Sequence, residues 1–72
     1  MKVYIDREKV ESLMKEHNIR FLTQLAEEAG TGRVMYLSRV LNNRVESLKI
    51  AYLLCDYFEC RLDDVCSVDW GE

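Results

Sequence analysis

The chain has 72 residues, a formal charge of −3, 49% hydrophobic residues, three cysteines and no proline. So short a chain folds as one domain near the lower size limit for a single core, so most apolar positions must be core and there is no room for a separate ligand-sensing domain. Net negative charge opposes nucleic-acid binding, which depends on neutralising phosphates, but the charge is unevenly placed. From Thr31 to Lys49 the chain carries Arg33, Arg39, Arg44 and Lys49 against Glu46 alone, whereas from Ile50 onward six acids face only Arg61. No apolar run reaches about 18 residues and no charged-then-apolar leader opens the chain, so a cytoplasmic protein with no membrane partner is expected.

In chain order, Met1 to Asp6 sets Val3 and Ile5 against Lys2 and Tyr4, a period-two pattern for a short strand. Two readings stay open: an extended lead-in whose Ile5 packs on the first helix, or an edge that pairs with its copy in a dimer. Asp6 is a good N-cap for an amphipathic helix from Arg7 to His17 with Val10, Leu13 and Met14 inward. Asn18 closes that helix in the left-handed conformation and Ile19 folds back on it. Phe21 is read as a packing residue. A second helix comes next, with Leu22, Leu25, Ala26 and Ala29 on one face and Thr23, Gln24, Glu27 and Glu28 on the other.

Gly30 ends the second helix, and Thr31 is expected to cap the next. In the third segment Leu37, Val40 and Leu41 form an inward stripe, leaving Arg33, Tyr36, Arg39, Asn42 and Asn43 to reach outward. Two short helices joined by a glycine-containing turn make a helix-turn-helix, and an outward polar face on the second is what a DNA-reading helix requires. After a polar loop from Asn43 to Glu46, Ser47 caps a fourth helix to Phe58 whose expected buried stripe is Leu48, Ala51, Leu54, Cys55 and Phe58. Ile50, Tyr52, Leu53 and Tyr57 then lie outside the stripe, either as a dimer interface or as extra core contacts. Leu62 to Cys66 reads as a one-turn helix, and Val68 to Trp70 as a tail that lays one aromatic ring back on the core.

Cys55, Cys60 and Cys66 lack the CxxC knuckle of zinc sites, and the one histidine, His17, lies far off in the first helix. They read as reduced, core-filling residues, so no metal and no other cofactor is expected. No nucleophile, base and carboxylate come together in the sequence, and an enzyme acting on a small-molecule substrate is the least favoured class.

The order of these pieces resembles the Cro/lambda-repressor family of helix-turn-helix proteins, the XRE-like regulators. LAEEAG matches the family's second helix, LSRVLNN the end of its recognition helix, and FECRLDDV its closing segment, and Ser47 precedes Leu54 and Cys55 by the family's interval. The resemblance implies an all-α, lambda-repressor-like bundle of about five short helices, here with the short N-terminal strand added. Gly30 to Leu37 is one residue longer than the family's spacing, and Gly32 is placed to absorb it. Asn43 and Glu59 stand where the family has glycines, and the glutamines that open its second and third helices are missing.

Carried over by position, the family's base-edge contacts fall on Arg33, Val34, Met35 and Arg39. Its phosphate contacts fall on the turn at Thr31 and Gly32 and on the loop from Asn42 through Asn43 to Arg44. Arginine can donate two hydrogen bonds to O6 and N7 of guanine, and Met35 and Tyr36 can touch a thymine methyl or the sugar wall. The expected function is therefore a sequence-specific regulator of transcription, a repressor that occludes a promoter as a homodimer on double-stranded DNA. The alternative is a degenerate helix-turn-helix that binds another protein, of antirepressor or antitoxin type.

Overall fold

A computed structural model describes residues 1–71. Strand β1 (Lys2–Ile5) leads into helices α1 (Arg7–Glu16), α2 (Leu22–Ala29), α3 (Val34–Asn42) and α4 (Leu48–Phe58). A single 3-10 turn at Leu62–Asp64 and strand β2 (Cys66–Asp69) complete the chain. The fold is mostly helical without being all-α. In place of a fifth α-helix, Leu62–Asp64 makes one tight turn and the segment after it becomes a strand antiparallel to β1, with Val3 opposite Val68 and Ile5 opposite Cys66. One turn of helix returns too few hydrogen bonds for the residues it fixes, whereas Val65 to Asp69 finds an open edge in β1. The N-terminal strand thus pairs with the chain's own C-terminal segment. Trp70 is 75% exposed and does not lie on the core.

The four helices start in two ways and stop in one. The Asp6 carboxylate accepts the Glu8 amide at 2.9 Å and the Ser47 hydroxyl accepts the Ile50 amide at 3.3 Å, capping α1 and α4. At Phe21 and Arg33, the residues before α2 and α3, no side chain caps the helix. Every α-helix then ends on a left-handed residue, at Asn18 (φ 59°), Gly30 (φ 73°), Arg44 (φ 49°) and Glu59 (φ 54°). The next amide donates to the carbonyl five residues back: Ile19 to Met14, Thr31 to Ala26, Val45 to Val40 and Cys60 to Cys55. This six-to-one closure pulls the residue after the left-handed one against the last turn of its helix. After α3 the left-handed position falls on Arg44, one residue beyond the expected Asn43, which keeps φ −113° and donates its side-chain amide to the Arg39 carbonyl.

Thr31 therefore does not cap α3. It takes the place that Ile19, Val45 and Cys60 hold after the other helices, is 4% exposed, and its buried hydroxyl has no hydrogen-bond partner. Phe21, expected to pack, is 68% exposed. In α4 the buried row is Ile50, Ala51, Leu54 and Phe58, while Leu48 is 64% exposed. Rows through Leu48 and through Ile50 both satisfy helical spacing, and docking of α4 on α2 selected the second. Leu53 and Tyr57 pack against the core, and the Tyr57 hydroxyl donates to the Glu28 carboxylate. Of the two readings of Ile50, Leu53 and Tyr57, extra core contacts is therefore the one found, with Ile50 in the core and the other two at its margin.

The cysteines are free, with Cys66 buried and the other two half-buried, and burial pushes the Cys60 thiol up to about 11. No helix is long and apolar enough, among the described residues, to cross a membrane.

Two outcomes are expected. Thr31→Val removes an unpaired buried hydroxyl at nearly constant volume and should stabilise the fold by about 1 kcal/mol, read as a rise in thermal midpoint; a fall would mean that the hydroxyl has a partner. The Asp6 carboxyl is held below its ordinary 3.8 chiefly by the Ser67 hydroxyl, which donates to it at 2.6 Å, and further by the Glu8 and Lys9 amides, against the opposing cost of burial. A lowered folded pKa stabilises fully above 3.8 and loses that contribution as pH falls below it. Asp6→Ala should therefore cost about 1 kcal/mol at neutral pH and flatten the acid limb of the stability profile in urea melts below about pH 4. An unchanged acid limb would contradict this assignment.

Candidate nucleic-acid interface

α2 and α3 pack against each other through Leu25, Ala26 and Ala29 on one side and Leu37, Val40 and Leu41 on the other, all buried. Burying that stripe turns the opposite side of α3 to solvent. Met35 is 74% and Tyr36 48% exposed, Arg33 and Arg39 are exposed, and Val34 and Ser38 are half-buried. Gly32, at φ 94°, carries the chain through the lengthened turn between the helices. Leu22, Val34, Met35, Ser38, Arg39 and Asn43 line a shallow hollow of about 500 Å³.

The electrostatics of this side arise from what is missing there. No acid occurs between Glu28 and Glu46, a span that carries Arg33, Arg39 and Arg44. The carboxylate of Glu28 is turned to α4, held there by the Tyr57 hydroxyl, which keeps it below the usual carboxylate range and raises the tyrosine. Neither α2 nor α3 has an acid in its first turn or a side-chain cap, so the amides of Leu22, Thr23, Val34 and Met35 are left without a protein partner at the positive ends of two helix dipoles. Arg20 precedes the first of these ends and Arg33 sits at the second. Helix starts of this kind hold anions, phosphates above all.

The single ion pair among the described residues joins Arg7 to Glu11 at 3.1 Å, and Arg7 also donates to the Asn42 side-chain oxygen at 2.6 Å. Asn42 in turn donates to the Ser38 hydroxyl at 3.3 Å, and the Arg44 guanidinium stacks over the Tyr4 ring at 5.2 Å. The loop residues expected to hold phosphate thus have intramolecular partners: Asn42 braces α3 against α1, Asn43 caps α3 and Arg44 rests on β1. Thr31 offers no side chain to a ligand, which leaves contact at the turn to the backbone of Gly32 and to Arg33.

Of the ten residues singled out from the sequence, Met35, Tyr36 and Arg39 share the outer side of α3, Arg33 is exposed at its start, and Val34 is half-buried against the core. Gly32 lies at the entrance to α3 and Asn42, Asn43 and Arg44 at its far end. Sequence reasoning missed Arg7 and Arg20, which line a neighbouring hollow of about 580 Å³ between α1 and α3 with Lys15, Leu22, Ser38 and one acid, Glu11, the ion-pair partner of Arg7. No local spacing could have signalled the contact from Arg7 to Asn42 across 35 positions. Comparison with family models, curated proteins and solved structures finds no match to the chain.

Proposed function

We propose that this protein is a sequence-specific, double-stranded-DNA-binding regulator of helix-turn-helix type that represses by occluding promoter DNA as a homodimer. The observation that carries the reading is the side of α3 free of acid, with Arg33 and Arg39 exposed next to the uncapped starts of α2 and α3. In this reading α3 enters the major groove, where Arg39 and Arg33 donate to guanine and Met35 and Tyr36 meet thymine methyls and the sugar wall. The amides at Leu22 and Thr23, with Arg20, hold one phosphate strand. Arg44 adds charge at the far end without reading sequence. The acids of α4 and of the segment after it lie in a different part of the chain from α3, which itself carries no acid.

A second reading, a helix-turn-helix that has become a protein-interaction module, is favoured by one observation: Phe21, Met35 and Tyr36 expose more apolar surface than phosphate binding uses.

Selection of bound duplexes from a random pool at two salt concentrations separates the two. The DNA reading expects an enriched two-fold motif and an affinity that falls with salt; no enrichment, with binding to an acidic or apolar protein partner through the same side chains, supports the module. On the selected site Arg39→Ala should lose about 1 to 3 kcal/mol and relax preference at one base pair with the melting temperature unchanged. Arg44→Gln should weaken all sequences equally and reduce the salt slope by about one unit. Uniform loss across sequences for Arg39→Ala would reassign it to phosphate.

A further inference from the structure

The two-stranded ribbon has one apolar face that outruns the core. The register sets Ile5 opposite Cys66 and Val3 opposite Val68, and cross-strand partners share a face. Continued by one residue, it sets Met1 opposite Trp70. The other face carries Lys2 with Asp69 and Tyr4 with Ser67. Only the innermost row of the apolar face is covered: Ile5 and Cys66 are buried, whereas Val3, Val68, Met1 and Trp70 are 47%, 38%, 80% and 75% exposed. A ribbon built for solvent alternates to polar residues once it leaves the core, and this one does not. Beside it, Val3, Ile5, Leu48, Ala51 and Cys66 line an apolar hollow of about 340 Å³ with Glu46 at its rim. Exposed Leu48 and Tyr52 extend the surface along α4.

We infer that this face, and not a surface through Ile50, Leu53 and Tyr57, is where a second copy of the chain docks, with Trp70 of each copy seated in the hollow between the ribbon and α4 of the other. A protruding aromatic and an apolar hollow on the same face are what a self-complementary two-fold contact needs. The charges beside the hollow also suit a copy: Glu46 at its rim and Lys49 next to Leu48 are of opposite sign, so two copies meet without net repulsion. The exposed apolar side chains amount to on the order of 500 Å² per copy, near the upper limit for patches on ordinary monomers and about two thirds of a standard interface half. A contact of this size falls in the range of weak, transient interfaces, and DNA with two-fold symmetry would consolidate it.

Docking uses the face because, at the inner end of the ribbon, both strand edges are already engaged. The Ile5 amide of β1 donates to the Val45 carbonyl at 3.4 Å, and the Lys9 ammonium covers the Cys66 carbonyl of β2 at 2.7 Å and that of Asp63 at 2.8 Å. A lysine laid along an edge is a device against strand addition. The inference deepens the proposed homodimer and rests on the DNA reading only for the dimer's use.

Trp70 is the one tryptophan of the chain, so its emission reports the contact directly. Sedimentation equilibrium and fluorescence of the full chain, without DNA, are measured over roughly 1 to 100 µM, the range of a weak complex. The expected result is a monomer–dimer equilibrium in which emission moves to shorter wavelength as mass doubles. Trp70→Ala should weaken it by about tenfold or more, and Leu48→Lys should abolish it, both with circular dichroism and melting temperature unchanged, while Arg39→Ala leaves it intact. A wild type that stays monomeric with solvent-exposed emission throughout would overturn the inference, as would a dimer indifferent to both substitutions or a blue shift produced only by lipid vesicles or another protein. Dimerisation without any selected DNA sequence would leave the interface standing and remove the DNA reading; selected DNA bound by a monomer would do the reverse.

Discussion

The direction of every connection between helices depends on a single backbone device: a left-handed residue after the helix, then a residue pulled inward. With no proline and few glycines, the chain reaches the left-handed conformation at Asn18, Gly30, Arg44 and Glu59, and only one of these is a glycine. The cost of about 1 to 2 kcal/mol for a side chain in that conformation is offset by packing of the next residue, since Ile19 and Thr31 are buried and Val45 and Cys60 pack at the core margin. Each helix end is thereby tied to the hydrophobic core. The turn between α2 and α3 belongs to this series, which is why Thr31 behaves as a core residue despite its hydroxyl.

The same device explains the charge geometry. Because Thr31 is drawn inward, it cannot cap α3, and because Ile19 is drawn inward, the chain re-emerges at Arg20 and Phe21 and starts α2 without a cap. Two helix starts are left with free amides on the side where Arg20, Arg33 and Arg39 are exposed. At α1 and α4 the starts are closed by Asp6 and Ser47. Asp6 also receives the Ser67 hydroxyl and gives its own amide to Val65, so the ribbon is anchored to α1 at the same point. The molecule therefore divides into closed helix starts beside the ribbon and open ones beside α3.

Much of the helical part was legible in the sequence because it is local. Asp6, Asn18, Gly30 and Ser47 act as their residue types suggest, and the inward stripe of Leu37, Val40 and Leu41 fixes the outward face of α3. What was illegible depended on tertiary choice. Leu48 and Ile50 begin rows of equal apolar quality, and only the packing of α4 on α2 decides between them. Cys66 to Asp69 is too short to declare itself a strand, and becomes one because β1 lies alongside. For the candidate site, the residues of α3 came from periodicity, whereas Arg7 reached it by a contact across the fold, and Asn42 and Arg44 acquired partners from α1 and β1 that no linear pattern announces.

The proposed contact of duplex DNA is with the outer side of α3 and the open starts of α2 and α3. Amide chemical shifts recorded by nuclear magnetic resonance while duplex DNA is added at low salt test it most directly. With a duplex that carries a single half-site, the expected result is perturbation concentrated at Leu22 and Thr23 and from Gly32 to Arg39, reversed by salt, with residues 2–5 and 66–69 and the end of α4 unmoved. Shifts confined to the ribbon and α4, or none at low salt, would contradict it.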